Sequence, residues 1–301
     1  MKQKILITGG AGFIGSEIKN NLKGPNLEIL TIGRNKKEDI VIDLNDKSLR
    51  QVLEEFSPNI VYHFASGSNI ARANENKEKE FNDTVIGTKL LLENLSVLKN
   101  KPTFIYLSSQ AVYGLPETLP ISERQATKPT TIYGENKLTI ENLIVNSGIK
   151  YLIFRVSSVY GAKQDPNKSG AIARFVSKMK SNQSPIVFNG IDHYSDFIYI
   201  KDLVSALIIA ATNVDLIVNN IFNLGSGKPT TLKMVLDILY KYFPEAPPPE
   251  IKENPLYLIK DQKGLYLDIN KIQTQLKWTC KYSIEDGLKD MLDSIKLSRI
   301  I

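Results

Sequence analysis

Short runs of consecutive apolar residues alternate with segments of helical period through the first half of the chain. The runs at 4–7, 27–32, 40–44, 60–65, 103–107 and 151–156 are too short for helices and rich in β-branched or aromatic side chains, so they predict strands buried on both faces. Between them, segments 16–22, 47–56, 78–98 and 131–147 predict helices. The second gathers Leu49, Val52, Leu53 and Phe56 on one face, and the third Phe81, Val85, Leu91, Leu92 and Leu95. Gly24-Pro25 and Gly148 punctuate the pattern. Strands alternating with helices at this spacing predict an α/β fold, a doubly wound parallel sheet covered by helices on both sides.

Beyond Gly161 the alternation loosens. It leaves helices over 170–180, 201–211, 232–242 and 283–294, strands over 186–188, 197–199 and 220–224, and a breaker at Pro247-Pro248-Pro249. This organisation predicts a first domain over 1–161, to which 195–224 return, and a smaller α/β C-terminal lobe built from 162–194 and 225–301. The chain has 301 residues, 42% of them hydrophobic, enough to bury a large core. Its net charge of +6 is spread among acids, as in Lys77-Glu78-Lys79-Glu80, which predicts solvated faces and no nucleic-acid partner. Cys280 is the one cysteine and His63 and His193 the two histidines, so neither an intrachain disulfide nor a Cys/His metal cluster is expected. The first residues read as a strand and no apolar run reaches about 18 residues, so a cytoplasmic protein without a membrane partner is expected.

Candidate chemistry begins at the first turn. Gly9, Gly12 and Gly15 follow the first strand and open the first helix, leaving room for a tight turn, for backbone N–H groups to approach a pyrophosphate, and for helix to pack on strand. That predicts a dinucleotide site. The second strand runs into Gly33-Arg34-Asn35-Lys36-Lys37 where an acid for the ribose 2′-OH is usual, so Arg34 makes NADP as plausible as NAD. Asp43, at the next strand end, is placed to accept from an adenine amino group. Ala65-Ser66-Gly67-Ser68 leave space for a ligand, and Ser108-Ser109 close the next strand. All fall at carboxyl ends of strands, where parallel sheets bind ligands.

Tyr133 and Lys137 lie four apart at the start of a predicted helix, one turn from each other on one face. An ammonium beside a phenol favours the phenolate and is expected to lower its pKa towards neutrality. Ser109 could hydrogen-bond the same substrate oxygen. The three suit hydride transfer, the tyrosine moving a hydroxyl proton while a nicotinamide carries the hydride.

Taken together, these motifs resemble the extended short-chain dehydrogenase/reductases, specifically the NAD-dependent epimerase/dehydratase group acting on nucleotide sugars, whose fold is of Rossmann type. Thr8 to Gly15, including Phe13 and Ile14, is similar to that family's cofactor loop, Asp43-Leu44 to its adenine-side acid, and His63-Phe64-Ala65-Ser66 to its fourth strand end. Leu107 to Gly114 resembles its serine strand, with Ser109 as catalytic serine, and Tyr133-x-x-x-Lys137 its catalytic pair. Phe154 to Gly161, Asp196 to Asp202, Phe222 to Gly227 and Asp268 to Trp278 resemble later markers. The resemblance implies Ser68, Ser109, Gln110 and Ser158 on the substrate side, and a homodimer joined through the helices near 78–98 and 131–147. Sugar 4,6-dehydratases of the family carry Asp-Glu where this chain has Gln110-Ala111, which argues against dehydration. Epimerisation at sugar carbon 4 is the first expectation, with NADPH-dependent reduction of a 4-keto-6-deoxy sugar (or 4-dehydrogenation) and a catalytically silent cofactor-binding protein as alternatives. Ser158 and Ser195 replace an asparagine and an arginine that contact the diphosphate in the family, and Thr84 stands where an asparagine is common. Lys163, Lys168, Arg174 and Lys260 are candidate replacements for the lost charge.

Overall fold

The computed structural model describes residues 2–67, 70–253 and 264–297. The strands are β1 (Gln3–Thr8), β2 (Leu27–Gly33), β3 (Ile40–Val41), β4 (Ile60–His63), β5 (Thr103–Ser109) and β6 (Tyr151–Val156), then β7 (Ser158–Tyr160), β8 (Ile186–Phe188), β9 (Tyr194–Tyr199), β10 (Asn220–Leu224), β11 (Pro229–Thr231), β12 (Glu250–Lys252) and β13 (Gly264–Leu265). Seven of them form one sheet in the order β10-β6-β5-β4-β1-β2-β3, with every pair parallel. Because side chains alternate along a strand, Ile5 and Ile7 enter the larger core cluster and Leu6 the smaller one on the opposite face. The same alternation splits Ile105 and Leu107 from Phe104 and Tyr106.

Helices α1 (Phe13–Asn21), α2 (Leu49–Phe56), α3 (Ile70–Glu75), α4 (Lys77–Phe81), α5 (Gly87–Ser96) and α6 (Ile132–Val145) connect the first strands. Leu49 and Leu53 of α2, Leu91, Leu92 and Leu95 of α5, and Ile140 and Ile144 of α6 cover one face. The other is covered by α8 (Ile200–Thr212), which follows α7 (Ala171–Lys180) and packs against α1. The helix predicted over 78–98 is interrupted by a π-turn at Asn82–Ile86 that joins α4 to α5. Its cause is local: the Thr84 and Thr88 hydroxyls donate to the Glu80 and Thr84 carbonyls, both at 2.6 Å, and so compete with the backbone ladder.

In the second half, α9 (Val214–Ile217), α10 (Leu232–Tyr242), α11 (Asn270–Leu276) and α12 (Ile284–Leu297) complete the helices. Of the segment expected to return to the first domain, β10 joins the large sheet beside β6, whereas β9 lies in a second sheet with β7, β11 and β13. Asp196 of β9 fastens this sheet. Its buried carboxylate accepts from the backbone N–H groups of Ser226, Gly227 and Leu267, and burial raises its pKa. Among the described residues no helix is long and apolar enough to cross a membrane.

Candidate active site

The strand order reverses direction at β1, between β2 and β4, which opens a crevice at the carboxyl ends of β1 and β4. Gly9 turns the chain there at φ +71°, and a Cβ on it would sit 3.0 Å from the Ala65 nitrogen. A Cβ on Gly15 would come within 2.2 Å of the Gly9 carbonyl, so α1 can dock this tightly only on glycine. Gly12 is exposed at the N-terminus of α1, and no side chain among the described residues caps that end. Its amides and dipole face a crevice of about 360 Å³ bordered by Gly10, Gly12, Phe13, Ser16, Lys37 and Lys163. Ile14 is half-buried against the core, and Phe13 packs at Gly161. These residues fit the pyrophosphate of a dinucleotide.

On the adenosine side, Arg34 donates to Asp83 at 2.8 Å and lies 3.7 Å from Asp43. Its positive charge is therefore countered by two carboxylates. Glu38, which sequence reasoning passed over, folds its buried side chain back to accept from the Ala11 N–H at 2.8 Å, bringing a negative charge against the glycine turn. Leu44 is buried in the smaller core cluster, under Gly87. Phe64, Ala65 and Ser66 line the turn after β4, while Ser68 and Lys260 lie outside the described residues.

The reacting end is assembled by α6. Thr131 caps it by accepting from the Gly134 N–H at 3.1 Å, and a Cβ on Gly134 would meet the Ala111 carbonyl at 2.6 Å. That close approach brings Tyr133 over the end of β5, where the Ser109 side chain draws the pKa of its phenol down. Lys137, buried one turn on, donates to the Ser66 hydroxyl at 2.8 Å and the Leu107 carbonyl at 3.0 Å, with its ammonium 5.6 Å from the Tyr133 ring. An ammonium one turn from the phenol predicts a lowered phenol pKa. Instead burial pushes Tyr133 up to about 12, against the pull of Ser109, and lowers Lys137 to about 7 despite Glu80 and Glu141 nearby. Lys137 is thus the member of the Tyr133–Lys137 pair that gives up a proton near neutrality.

His63 is structural. Thr88 already donates to Thr84, so the imidazole donates from Nε2 to Thr88 and accepts at Nδ1 from Thr8, while burial takes its pKa down to about 3. Gln110 begins the 3₁₀ turn Gln110–Tyr113 after Ser109, and its amide oxygen is buried without a hydrogen bond among the described residues. Ser158 and Ser195 face each other at 3.1 Å, a compact polar pair at the positions where the resemblance implied diphosphate contacts. Among the described candidates for the lost charge, Lys163 pairs with Glu17 at 2.8 Å and Lys168 lies 3.7 Å from Asp165. Glu80, buried beneath Tyr133 and Lys137, was missed because its charged run reads as surface; its spacing of 4, 7 and 11 from Thr84, Gly87 and Leu91 was the available signal.

A parallel sheet with a glycine turn at its first crossover and a Ser–Tyr–Lys group at the strand ends defines an extended short-chain dehydrogenase/reductase. The sequence matches the model of the NAD dependent epimerase/dehydratase family over residues 5–225. It is 33% identical to a putative UDP-glucose 4-epimerase of Methanocaldococcus jannaschii, across 97% of this chain and 98% of that one. It is 27% identical to a dTDP-4-dehydro-6-deoxyglucose reductase of Escherichia coli, across 98% of each. The fold superposes on the UDP-glucose 4-epimerase of Thermotoga maritima, solved with UDP-glucose, with a TM-score of 0.87 at 25% identity, covering 99% of this chain and 100% of that one. The chain belongs to the NAD dependent epimerase/dehydratase family.

Proposed function

We propose that the protein is an NAD-dependent UDP-sugar 4-epimerase. The observation that carries this is the Ser109–Tyr133–Lys137 group, arranged to take up and return one proton at a single oxygen, with Gln110-Ala111 in place of an acid–base pair for dehydration. NAD, when bound, supplies a reversible hydride acceptor. The chain's own part is the proton. Ser109 orients the sugar 4-hydroxyl, the Tyr133–Lys137 pair short of one proton receives the hydroxyl proton, and the same pair returns it after the sugar has presented its other face. Gly9, Gly12 and the amides of α1 would hold the pyrophosphate and Asp43 the adenine. The paired Arg34 and the nearby Glu38 carboxylate favour NAD over NADP, since a 2′-phosphate would meet negative charge.

Incubation of the purified protein with UDP-glucose, followed by NMR, tests the proposal. UDP-galactose formation without consumption of cofactor is the expected result, and Tyr133→Phe is expected to lower the rate by about 10²–10⁴-fold. Stoichiometric loss of NADPH with a 4-keto-6-deoxy sugar would establish the reductase reading, which the Escherichia coli relative favours. The proposed assembly is a homodimer. Phe81, Val97 and Val145 stand exposed on the helices it would join, and light scattering at micromolar concentration measures it.

A further inference from the structure

Strand β2 ends on Gly33, where a dinucleotide fold usually places the acid that holds the adenosine ribose. A carboxylate reaches that place from the loop that follows. Glu38, 8% exposed, lies between Gly33 and Gly10: a Cβ on Gly33 would fall 3.1 Å from its Oε1, and a Cβ on Gly10 would fall 3.0 Å from its Oε2. Any side chain at residue 33 would contend with Glu38 for this space, so the bare strand end and the buried acid go together.

Local hydrogen bonds aim the side chain inward. The Asn35 side chain accepts from the Lys37 N–H at 2.9 Å and the Asn35 carbonyl from the Glu38 N–H at 3.0 Å, closing a tight turn after the strand. Asp39 is locked onto β2: its carboxylate accepts from the Thr31 N–H and hydroxyl, both at 2.9 Å, and its own N–H donates to Thr31 Oγ1 at 3.0 Å. Lys19 of α1 donates to the same carboxylate at 3.0 Å. With the chain fixed on both sides of it, Glu38 turns back under the loop and Oε1 accepts from the Ala11 N–H at 2.8 Å.

The other oxygen, Oε2, is buried with no hydrogen-bond partner among the described residues. A buried acceptor without a donor is costly, and Gly10 and Ala11 beside it border the crevice that fits the dinucleotide. A ribose hydroxyl is a donor that would satisfy Oε2 there. A 2′-phosphate would instead set negative charge against negative charge, and Arg34, the cation that ends the same strand, is bound to Asp83 at 2.8 Å.

We propose that Glu38 is the specificity-determining residue of the cofactor site: its carboxylate, delivered by the loop after β2 in place of an acid at the strand end, accepts from the adenosine 2′-hydroxyl of NAD and turns away the 2′-phosphate of NADP. This rests on the dinucleotide reading of the crevice made in the proposed function and names the side chain that makes the choice.

Titration calorimetry of the purified protein with NAD and with NADP tests it. Wild type is expected to bind NAD at least tenfold more tightly. Glu38→Gln, which keeps the shape and an acceptor for the Ala11 N–H, is expected to weaken NAD by about tenfold and to strengthen NADP by about as much. Glu38→Ala combined with Gly33→Asp, which puts an acid at the strand end in the space that Glu38 vacates, is expected to recover the NAD preference that Glu38→Ala alone loses. A merely structural role would weaken both cofactors alike and leave their ratio where it was. A ratio unmoved in Glu38→Gln would overturn the proposal, as would wild type that holds NADP as tightly as NAD. If Glu38→Ala fails to fold by circular dichroism, Glu38→Gln decides alone. A shifted ratio in a protein that turns over no UDP-sugar would reject the epimerase function and leave the role of Glu38 standing; epimerisation with an unmoved ratio would do the reverse.

Discussion

Glu141 ties the helix that carries Tyr133 and Lys137 to the sheet beneath, and its replacement by glutamine is the perturbation whose size is best defined by the structure. Glu141 and Arg155 are 2% and 6% exposed. The carboxylate accepts from Arg155 Nε at 3.2 Å, from Nη2 at 2.8 Å and from the Ser108 hydroxyl. Glutamine keeps the shape but removes the charge, leaving the Arg155 guanidinium buried opposite an amide. Two charge-assisted hydrogen bonds at about 1.5–3 kcal/mol each give a loss of about 3–6 kcal/mol, which overlaps the ~3–5 kcal/mol seen when one partner of a buried pair is removed. That is a large part of the ~5–15 kcal/mol that holds a typical domain together. Equilibrium unfolding in urea measures it. Combining Glu141→Leu with Arg155→Met, which leaves no buried charge, is expected to recover most of the loss. A Glu141→Gln protein within about 1 kcal/mol of wild type, well below the worked range, or a double variant no better than the single one, would refute the buried-pair account.

Two further outcomes follow from the same geometry. Lys137 titrates near 7 when folded and near its ordinary 10.5 when unfolded, so the unfolded chain binds the extra proton between these values and stability rises with pH across that window; wild type is expected to gain about 2 kcal/mol from pH 7 to 9, and Lys137→Met to lose that gain, as read by urea unfolding at each pH. Gly15→Ala places a Cβ 2.2 Å from the Gly9 carbonyl, so the turn must open; NAD affinity measured by calorimetry is expected to fall at least tenfold, about 1.4 kcal/mol, and an unchanged affinity would remove the glycine turn from the cofactor site.

What the chain disclosed by inspection was whatever lies close together along it. Strand, glycine turn and helix occupy residues 3–21, and Tyr133 and Lys137 share one turn of one helix, so period and spacing were enough to find both. Ser109 needed only the rule that parallel sheets present their strand ends to ligands. Features made by distant partners were hidden. Strands β7, β11 and β13 are two or three residues long and exist because β9 pairs with each. Glu80 looks like one member of a solvated charge run until the π-turn and α6 close over it. Spacing also could not weigh burial against charge: it put an ammonium near the phenol, while the depth of the site reversed the direction of the phenol's shift.

The central claim is that one tyrosine–lysine pair handles the proton of a sugar hydroxyl while the hydrogen on carbon 4 leaves as hydride and comes back to the same carbon. UDP-glucose deuterated at carbon 4, incubated with the protein in ordinary water and followed by NMR, tests it directly. The predicted result is UDP-galactose that keeps its deuterium at carbon 4. Deuterium replaced by solvent hydrogen during turnover would contradict it, because the label would then have left as a proton.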